Sequence, residues 1–373
     1  MPIQIPNPIA SPIHFIKQSY IDFTTVIPPI RKYGNLQNIP SHKIDLEGFA
    51  YLHPQILDDI KSQEALSTGN RYDFHFEGID ITFIYADGNS PAATASPSKS
   101  KQERFLLFYT CFLIYLFKTK LGKHLNKLMV QLICYNGKKI LPNPNEKLSS
   151  YHINSGVTIS QIPILGSAVT EAEILVYRKE EMIKVLTHEM IHAFGLDAKN
   201  IPQEKEQYIN EHFKLNCKSA NINESFTDSL ACLINTVIYT YLQRPKDFNK
   251  QYAINIKKES QHILNQAIKV LVHNKYFIEK SQQPQPQQHL SHPSHVCEST
   301  HVTSYYVLKA VVYSNLSHFI QLLSINHMNI DINAYIEFIQ NKVPKFEKIL
   351  KFRRQNKKNL NMTILDILYI LPE

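Results

Sequence analysis

The segment 179–194 constrains this chain most, because it places two histidines one helical turn apart. Its apolar residues recur at helical spacing and Gly195 is a natural stop, so the sequence predicts a helix here. The letters THEMIH put His188 and His192 on one face, where both imidazoles can reach one ion. Glu189 is offset by one residue and can reach a water molecule beside that ion. The pattern predicts a site for one Zn²⁺ with Glu189 as general base; a helix that carries two histidines by coincidence is the alternative.

A third protein ligand is required, because a catalytic zinc normally has three and keeps one position open. Glu224 and Asp228 lie four residues apart on a helix predicted over Asn223–Tyr241, and therefore share a face. One carboxylate can bind zinc while the other accepts a hydrogen bond from a ligand histidine. A capping role for Asn223 and Glu224 near the start of this helix is the alternative.

Two other carboxylates compete for the position of third ligand. Glu211 stands 19 positions past His192, in a polar stretch that also fits a loop facing solvent. Asp197 follows the second histidine at nearly the distance used in the pattern HExxHxxGxxH/D, but the ligand position of that pattern holds Ala198. The spacing of the residues leaves Glu211, Asp197 and Glu224 as candidates.

HEMIH followed by NESFTD resembles the gluzincin metallopeptidases, in particular the thermolysin-type pairing of HExxH with NExxxD. The resemblance implies the following roles: zinc ligands His188, His192 and Glu224, general base Glu189, and Asp228 as the hydrogen-bond partner of His188. His192 and Glu224 are 32 positions apart, more than the family usually shows, which predicts an enlarged loop over 197–221 and keeps Glu211 as a competitor.

A later segment, HVTSYYVLKAVVY, resembles the thermolysin-type helix that begins with a histidine. By that likeness His301 is expected to stabilise the oxyanion of the reaction, with Tyr305 and Tyr306 as alternates, because a phenol can donate the same hydrogen bond. A helix start with no catalytic role is the alternative.

The remaining patterns predict an α+β fold. Alternating residues on either side of Glu77 and Gly78 predict a hairpin over Tyr72–Ala86, and 87–101 has the composition of a flexible linker. A helix is predicted over 102–121, and strands over 128–135, 157–162 and 174–177. The last of these strands is expected to offer an edge to an extended peptide.

We therefore expect two regions. Residues 1–100 form an N-terminal accessory region, irregular over 1–70, that ends in the hairpin and linker. Residues 101–373 form a zincin-like metallopeptidase domain: a small mixed sheet and the HExxH helix lie in 101–200, and a helical lobe in 201–373 contains a low-complexity insertion at 281–295.

Composition limits the partners and the compartment. The net charge of +8 is modest for a protein that binds nucleic acid, and most of it is spread along the chain. One segment, Lys345–Lys358, is locally rich in basic residues. It either forms a docking patch for an acidic partner or is a solvated helix face. The longest apolar stretch, Phe105–Phe117, falls short of the ~20 residues needed to cross a bilayer. Five cysteines without a CxxC pair, and an N-terminus without a secretory signal, predict an intracellular, cytoplasmic protein.

Taken together, these features predict a zinc metallopeptidase that hydrolyses a protein or peptide substrate. The alternative is a catalytically inactive zinc-binding structural or interaction protein with the same fold. Glu189 favours the enzyme, because a purely structural site has no use for a carboxylate beside its first histidine.

Overall fold

A computed structural model describes most of the chain, with interruptions. The described residues are 11–26, 37–44, 46, 52–88, 101–143, 146–161, 171–197, 201, 203–212, 221–274, 300–325, 328–329, 331–350 and 360–370. Several predicted features lie outside them: most of the linker 87–101, the insertion 281–295, and the basic residues from Arg353 to Lys358.

Strands and helices alternate in the first half of the chain, and helices fill the second half. The strands are β1 Gln37–Lys43, β2 Thr68–Phe76, β3 Ile79–Ala86, β4 Lys127–Ile133, β5 Gly156–Gln161 and β6 Glu171–Val176. The helices are α1 Pro12–Val26, α2 Pro54–Ser62, α3 Lys101–Ile114, α4 Ser150–Ile153, α5 Met182–Ala193, α6 Gln203–His212, α7 Ile222–Leu242, α8 Phe248–His273, α9 Lys309–Ser314, α10 Leu316–Ile325 and α11 Ile332–Ile349. Wider π-helical turns extend α3 over Tyr115–Lys120 and precede α9 over Thr303–Leu308.

The strands form one mixed sheet in the order β1-β2-β3-β4-β6-β5. Strands β3, β4 and β6 run parallel, while β1, β2 and β5 pair antiparallel with their neighbours. Glu77 and Gly78 both have positive φ, which matches the twist of a tight two-residue hairpin between β2 and β3. The predicted α+β class and the predicted hairpin are confirmed.

The edge of the sheet next to the HExxH helix is β5, not the strand predicted over 174–177. That strand is β6, which has β4 on one side and β5 on the other, so its backbone groups are already paired. The expectation that it would receive a peptide is therefore wrong. Sequence patterning locates strands well but does not order them, because the order depends on long-range pairing.

The N-terminal region is more regular than its sequence indicates. Pro12 opens α1, where its missing N–H costs no helix hydrogen bond, and Ile16, Tyr20 and Phe23 are buried at helical spacing. Tyr20 packs edge-on against Phe112 of α3, with ring centroids 4.9 Å apart. The prediction of an irregular segment over 1–70 is wrong here, because frequent prolines hid a short amphipathic helix.

One sheet and one large apolar core extend across the boundary predicted at residue 100. Strands β1 to β3 come from before it and β4 to β6 from after it. The main core likewise contains Phe23 and Phe83 together with Phe112, Val130 and Leu186. The predicted boundary thus does not separate two sheets or two cores among the described residues.

The segment that carries HExxH is a buried helix, as predicted. Helix α5 packs against β5, β6 and α7. It ends at Ala193, and Gly195 follows with φ of +57°, a left-handed conformation that glycine adopts without strain. Within the described ranges, no helix combines the length and the apolar composition needed to cross a bilayer.

Candidate metal centre

Three side chains from two neighbouring helices converge at one point. His188 and His192 project from α5, and Glu224 projects from the first turn of α7. The two Nε2 atoms are 3.1 Å apart, and Glu224 Oε2 lies 3.3 Å from the first and 3.4 Å from the second. We call these residues the ligand trio; they could hold a metal ion.

The spacing within the ligand trio has the size of a tetrahedral coordination site. Two ligand atoms at Zn–N or Zn–O distances of 2.0–2.1 Å and a tetrahedral angle are about 3.3 Å apart. The three separations of 3.1, 3.3 and 3.4 Å match that edge length. Glu224 Oε2 is also buried without a hydrogen-bond partner among the described residues, the state of an oxygen whose lone pair is kept for a cation.

Each histidine of the trio has its own aspartate on the opposite ring nitrogen. Nδ1 of His188 lies 3.1 Å from Asp228 Oδ1, and Nδ1 of His192 lies 2.9 Å from Asp197 Oδ2. An ionised carboxylate can only accept, so both Nδ1 atoms donate and the Nε2 atoms face each other and Glu224. The amide of Asn223 donates to the same Asp197 oxygen at 3.1 Å.

The electrostatics of the trio favour a neutral His188 and an ion pair between His192 and Glu224. Burial lowers the pKa of His188 to about 3. Burial also acts to lower the pKa of His192, but the nearby carboxylates of Glu224 and Asp197 outweigh it and raise that pKa well above the usual value. The pKa of Glu224 is well below its usual value, because the two imidazoles outweigh the effect of burial. The carboxylates of Glu224 and Asp197 thus already stabilise a positive charge on His192. A divalent cation held by the trio would bring its positive charge to the same place.

Glu189 lies beside the trio and is held by the edge strand β5. Thr158 Oγ1 donates to Glu189 Oε2 at 2.7 Å and lies 3.1 Å from the carbonyl oxygen of the same residue. Gly156, two residues earlier on β5, leaves room for the carboxylate: a Cβ there would sit 2.7 Å from Glu189 Oε1. Burial raises the pKa of Glu189 to about 7, which is suited to a group that takes up and returns a proton near neutral pH.

A cleft of about 870 Å³ opens over these residues. Its lining includes the ligand trio, Glu189, the strand residues 156–160, and both His301 and Tyr305. The Tyr305 ring is 5.8 Å from the His188 ring, and the His301 ring lies 6.5 Å from that of Tyr305. Burial and the nearby Glu224 carboxylate raise the pKa of Tyr305 well above its usual value. Tyr305 is thus the alternate that directly contacts the trio.

The structure places the other alternates elsewhere. Tyr306 is fully buried, and its hydroxyl donates to the carbonyl of Leu360 at 2.7 Å, away from the cleft. Tyr305 and Tyr306 are consecutive in the π-helical turn at 303–308, so their side chains leave it in different directions, and of the two only Tyr305 lines the cleft. Glu211 is exposed and accepts from Gln207 at 2.8 Å, so it is not part of the trio.

Sequence reasoning missed several residues that surround the trio. Asp197, a candidate ligand in the sequence, instead pairs with Nδ1 of His192. Thr158 and Gly156 could not be found from the sequence, because their role depends on how β5 packs on α5. Lys184 and Lys309 did carry a signal: each is a lone lysine within an apolar helical run.

Comparison with known proteins does not indicate an activity for this chain. No protein-family model and no solved structure matches the chain. The chain is similar to Uncharacterized protein R210 of Acanthamoeba polyphaga mimivirus, with 24% identity over 208 residues that cover 52% of this chain and 51% of that protein. The chain therefore spans about half the length of this relative, whose name states no activity.

Proposed function

We propose that this protein is a zinc-dependent metallopeptidase of the gluzincin type with a zincin-like fold. The observation that carries the proposal is the ligand trio, whose three separations fit one tetrahedral ion, with Glu189 beside it in an open cleft. Two histidines and a glutamate are a donor set typical of catalytic zinc, which keeps its fourth position open.

Each residue has a separate task in the proposed reaction. When bound, zinc supplies the positive charge that acidifies a water molecule and polarises the scissile carbonyl. Glu189 takes the proton from the attacking water and later delivers it to the leaving amine. Thr158 holds the Glu189 carboxylate through Oε2, and Tyr305 or His301 donates a hydrogen bond to the oxyanion.

The substrate of this reaction is an extended peptide. Strand β5 lies at the edge of the sheet and lines the cleft over residues 156–160. Among the described residues, no strand pairs with its outer side, and addition of a peptide as a further strand is a common mode of recognition. A peptide bound in this way would lie along the cleft that Glu189 and the trio also line.

The first test is the zinc content of purified variants. We expect one zinc per chain in the wild type, loss of zinc in His192→Ala and Glu224→Ala, and full zinc content in Glu211→Ala, the matched control. Zinc retained without Glu224 would move the third ligand elsewhere, and a wild type that binds no zinc would contradict the proposal.

A second test separates the enzyme from a non-catalytic zinc protein. Glu189→Gln preserves the shape of the side chain and is expected to keep zinc while abolishing peptide hydrolysis. If the wild type binds zinc but cleaves no peptide in a broad mixture, and Glu189→Gln has the same cellular effect as the wild type, the zinc site is structural.

A further inference from the structure

A layer of buried charge lies behind His188, in the interior of the protein. Six ionisable side chains meet there, each no more than 2% exposed: Lys139, Glu181, Lys184, Asp228, Glu259 and Lys309. Three lysines balance three carboxylates, so the formal charge of the group is zero. We call this group the charged layer.

The chain segment 362–364 ties the charged layer together through its backbone. The N–H of Thr363 donates to Glu181 at 2.6 Å, and the N–H of Ile364 donates to Glu259 at 3.1 Å. The carbonyl of Met362 accepts from Lys309 Nζ at 3.0 Å. The layer is thus a connected network with defined geometry.

Stability alone does not account for such a group. Burying ions costs desolvation energy, and apolar replacements of similar size are often neutral or stabilising. A buried ionic network is instead a means of fixing the position of a particular side chain. In this layer, the side chain that contacts the candidate metal centre is Asp228.

Asp228 is fixed through both of its carboxylate oxygens. Oδ1 receives Nδ1 of His188 at 3.1 Å and also contacts Nζ of Lys184, which lies one turn before His188 on α5. Oδ2 lies 2.6 Å from Nζ of Lys309, an ion pair by distance whose angles are not those of a hydrogen bond. With a lysine on each oxygen, the carboxylate cannot rotate about its Cβ–Cγ bond without breaking an ion pair.

We propose that Lys184 and Lys309 are positioning residues of the metal centre. They lock the plane of the Asp228 carboxylate, which in turn fixes the ring of His188 and directs its Nε2 into the trio. Lys309 has the clearer role, because it holds the oxygen that His188 does not use. The predicted effect of these lysines on metal affinity rests on the proposed function, because it requires a metal site. Their predicted effect on the orientation of the His188 ring holds whether or not a metal binds.

The test compares two lysines of the same layer. Lys309→Met removes the ammonium from Asp228, and Lys139→Met removes an equally buried ammonium that pairs with Glu181 at 3.0 Å and does not contact Asp228. Zinc affinity is measured by competition with a chromophoric chelator, and thermal unfolding is recorded for each variant. We expect Lys309→Met to weaken zinc binding by about tenfold, the lower end of the range for groups that orient a ligand. Lys139→Met is expected to stay within about twofold of the wild type, since it lies outside the coupled pair.

A double variant shows whether Lys309 acts through Asp228. In an Asp228→Asn background, Lys309→Met is expected to change zinc affinity by less than about twofold, because the carboxylate that it positions is already gone. Equal losses in Lys309→Met and Lys139→Met, or a full tenfold loss in both backgrounds, would overturn the proposal. Lys184→Met is assessed by the same criteria if Lys309→Met does not fold.

A nuclear magnetic resonance measurement tests the positioning without any metal. In the metal-free wild type, the Nδ1–H of His188 is expected to give a slowly exchanging proton signal, because it is buried and bonded to Asp228. Lys309→Met is expected to lose that signal, and Lys139→Met to keep it. A signal unaffected by Lys309→Met would overturn the inference even if zinc binds, and its loss would support the inference even if the wild type binds no zinc.

Discussion

Glu189 gains its orientation from two small residues on β5. The strand alternates its side chains, so Gly156 and Thr158 face α5 together. Thr158 contributes a hydroxyl at 2.7 Å, and Gly156 contributes space where a Cβ would meet Glu189 Oε1 at 2.7 Å and Val185 Cγ1 at 2.8 Å. Glu189 is therefore held by the same strand that we propose binds the peptide.

Replacing Thr158 by valine is expected to impair catalysis while leaving the metal in place. The variant keeps the shape of the side chain but loses a hydrogen bond to a carboxylate, worth about 1.5–3 kcal/mol, which corresponds to a fall in kcat/KM of roughly 10- to 100-fold. Thr158→Ser retains the hydroxyl and should recover most of the activity. Steady-state kinetics on any peptide that the wild type cleaves, with zinc content measured in parallel, would check this; equal activity of the valine and serine variants would contradict it.

Gly156→Ala is expected to destabilise the protein by about 1–3 kcal/mol, the usual cost of an extra methyl group in a packed region. Its Cβ would have to displace Glu189 or separate β5 from α5. Ser160→Ala, on the same strand and half-buried, is the control and should change stability little. Urea unfolding gives the free energy of unfolding of the wild type and the two variants. A Gly156→Ala variant as stable as the wild type would show that β5 can shift to accommodate the methyl group without loss of stability.

At the scale of elements, the geometry of the trio depends on where α7 begins. Asn221 is its N-cap and accepts a hydrogen bond from the N–H of Asn223 at 3.0 Å. Glu224 follows in the first turn, the part of a helix that frays most readily when its cap is lost. Asn221 is therefore the residue that caps α7. The alternative in which Asn223 and Glu224 serve as the cap is wrong.

Asn221→Ala is expected to cost about 1 kcal/mol of stability and also to weaken zinc binding several-fold. Asn221→Ser can still cap the helix and should behave like the wild type. Asp247, which caps α8 by accepting from Lys250 at 3.1 Å, provides the matched control: Asp247→Ala should lose similar stability with unchanged zinc affinity. Chelator competition and thermal unfolding of the three variants decide the matter, and a parallel loss of affinity in Asp247→Ala would attribute the effect to global stability.

The sequence predicted those elements whose periodicity is strong and local. Helices α5 and α7, strands β4 to β6 and the hairpin at Gly78 agree with prediction to within a few residues. Helix α1 was missed because prolines surround it, and the position of β5 at the edge could not be read from a local pattern. Pairs distant in the chain were the hardest to foresee: Lys309 and Asp228 are 81 positions apart, and no periodicity connects them.

At the scale of the whole molecule, the segment 360–370 joins the two halves of the chain. The N–H of Leu360 donates to the carbonyl of Lys139 at 2.9 Å, next to the sheet, and Asn235 of α7 donates to the carbonyl of Leu365 at 2.7 Å. Ile364 reaches Glu259 of α8. The segment thus links residues that surround the charged layer, so its docking bears on the stability of the whole fold.

Asp366, within this segment, is expected to make stability depend on pH. Burial raises its pKa to about 6 from an ordinary value of 3.8, assisted by the nearby carboxylates of Glu181 and Glu180. The folded state therefore binds the proton more tightly than the unfolded chain. It follows that the contribution of this group to the free energy of unfolding is present below about pH 4, falls as the pH rises through 6, and is constant above that. The loss is at most about 3 kcal/mol.

Asp366→Asn isolates that contribution, because asparagine stays neutral and can still accept from the N–H of Leu368, as Asp366 does at 3.0 Å. The variant should match the wild type near pH 4 and exceed it in stability at pH 7. Urea unfolding of both proteins at pH 4, 5, 6 and 7 gives the difference in free energy, and the pH dependence of other groups cancels in it. A difference that is constant with pH would mean that Asp366 is ionised without penalty in the folded protein, and that the segment 360–370 carries its charge in contact with solvent.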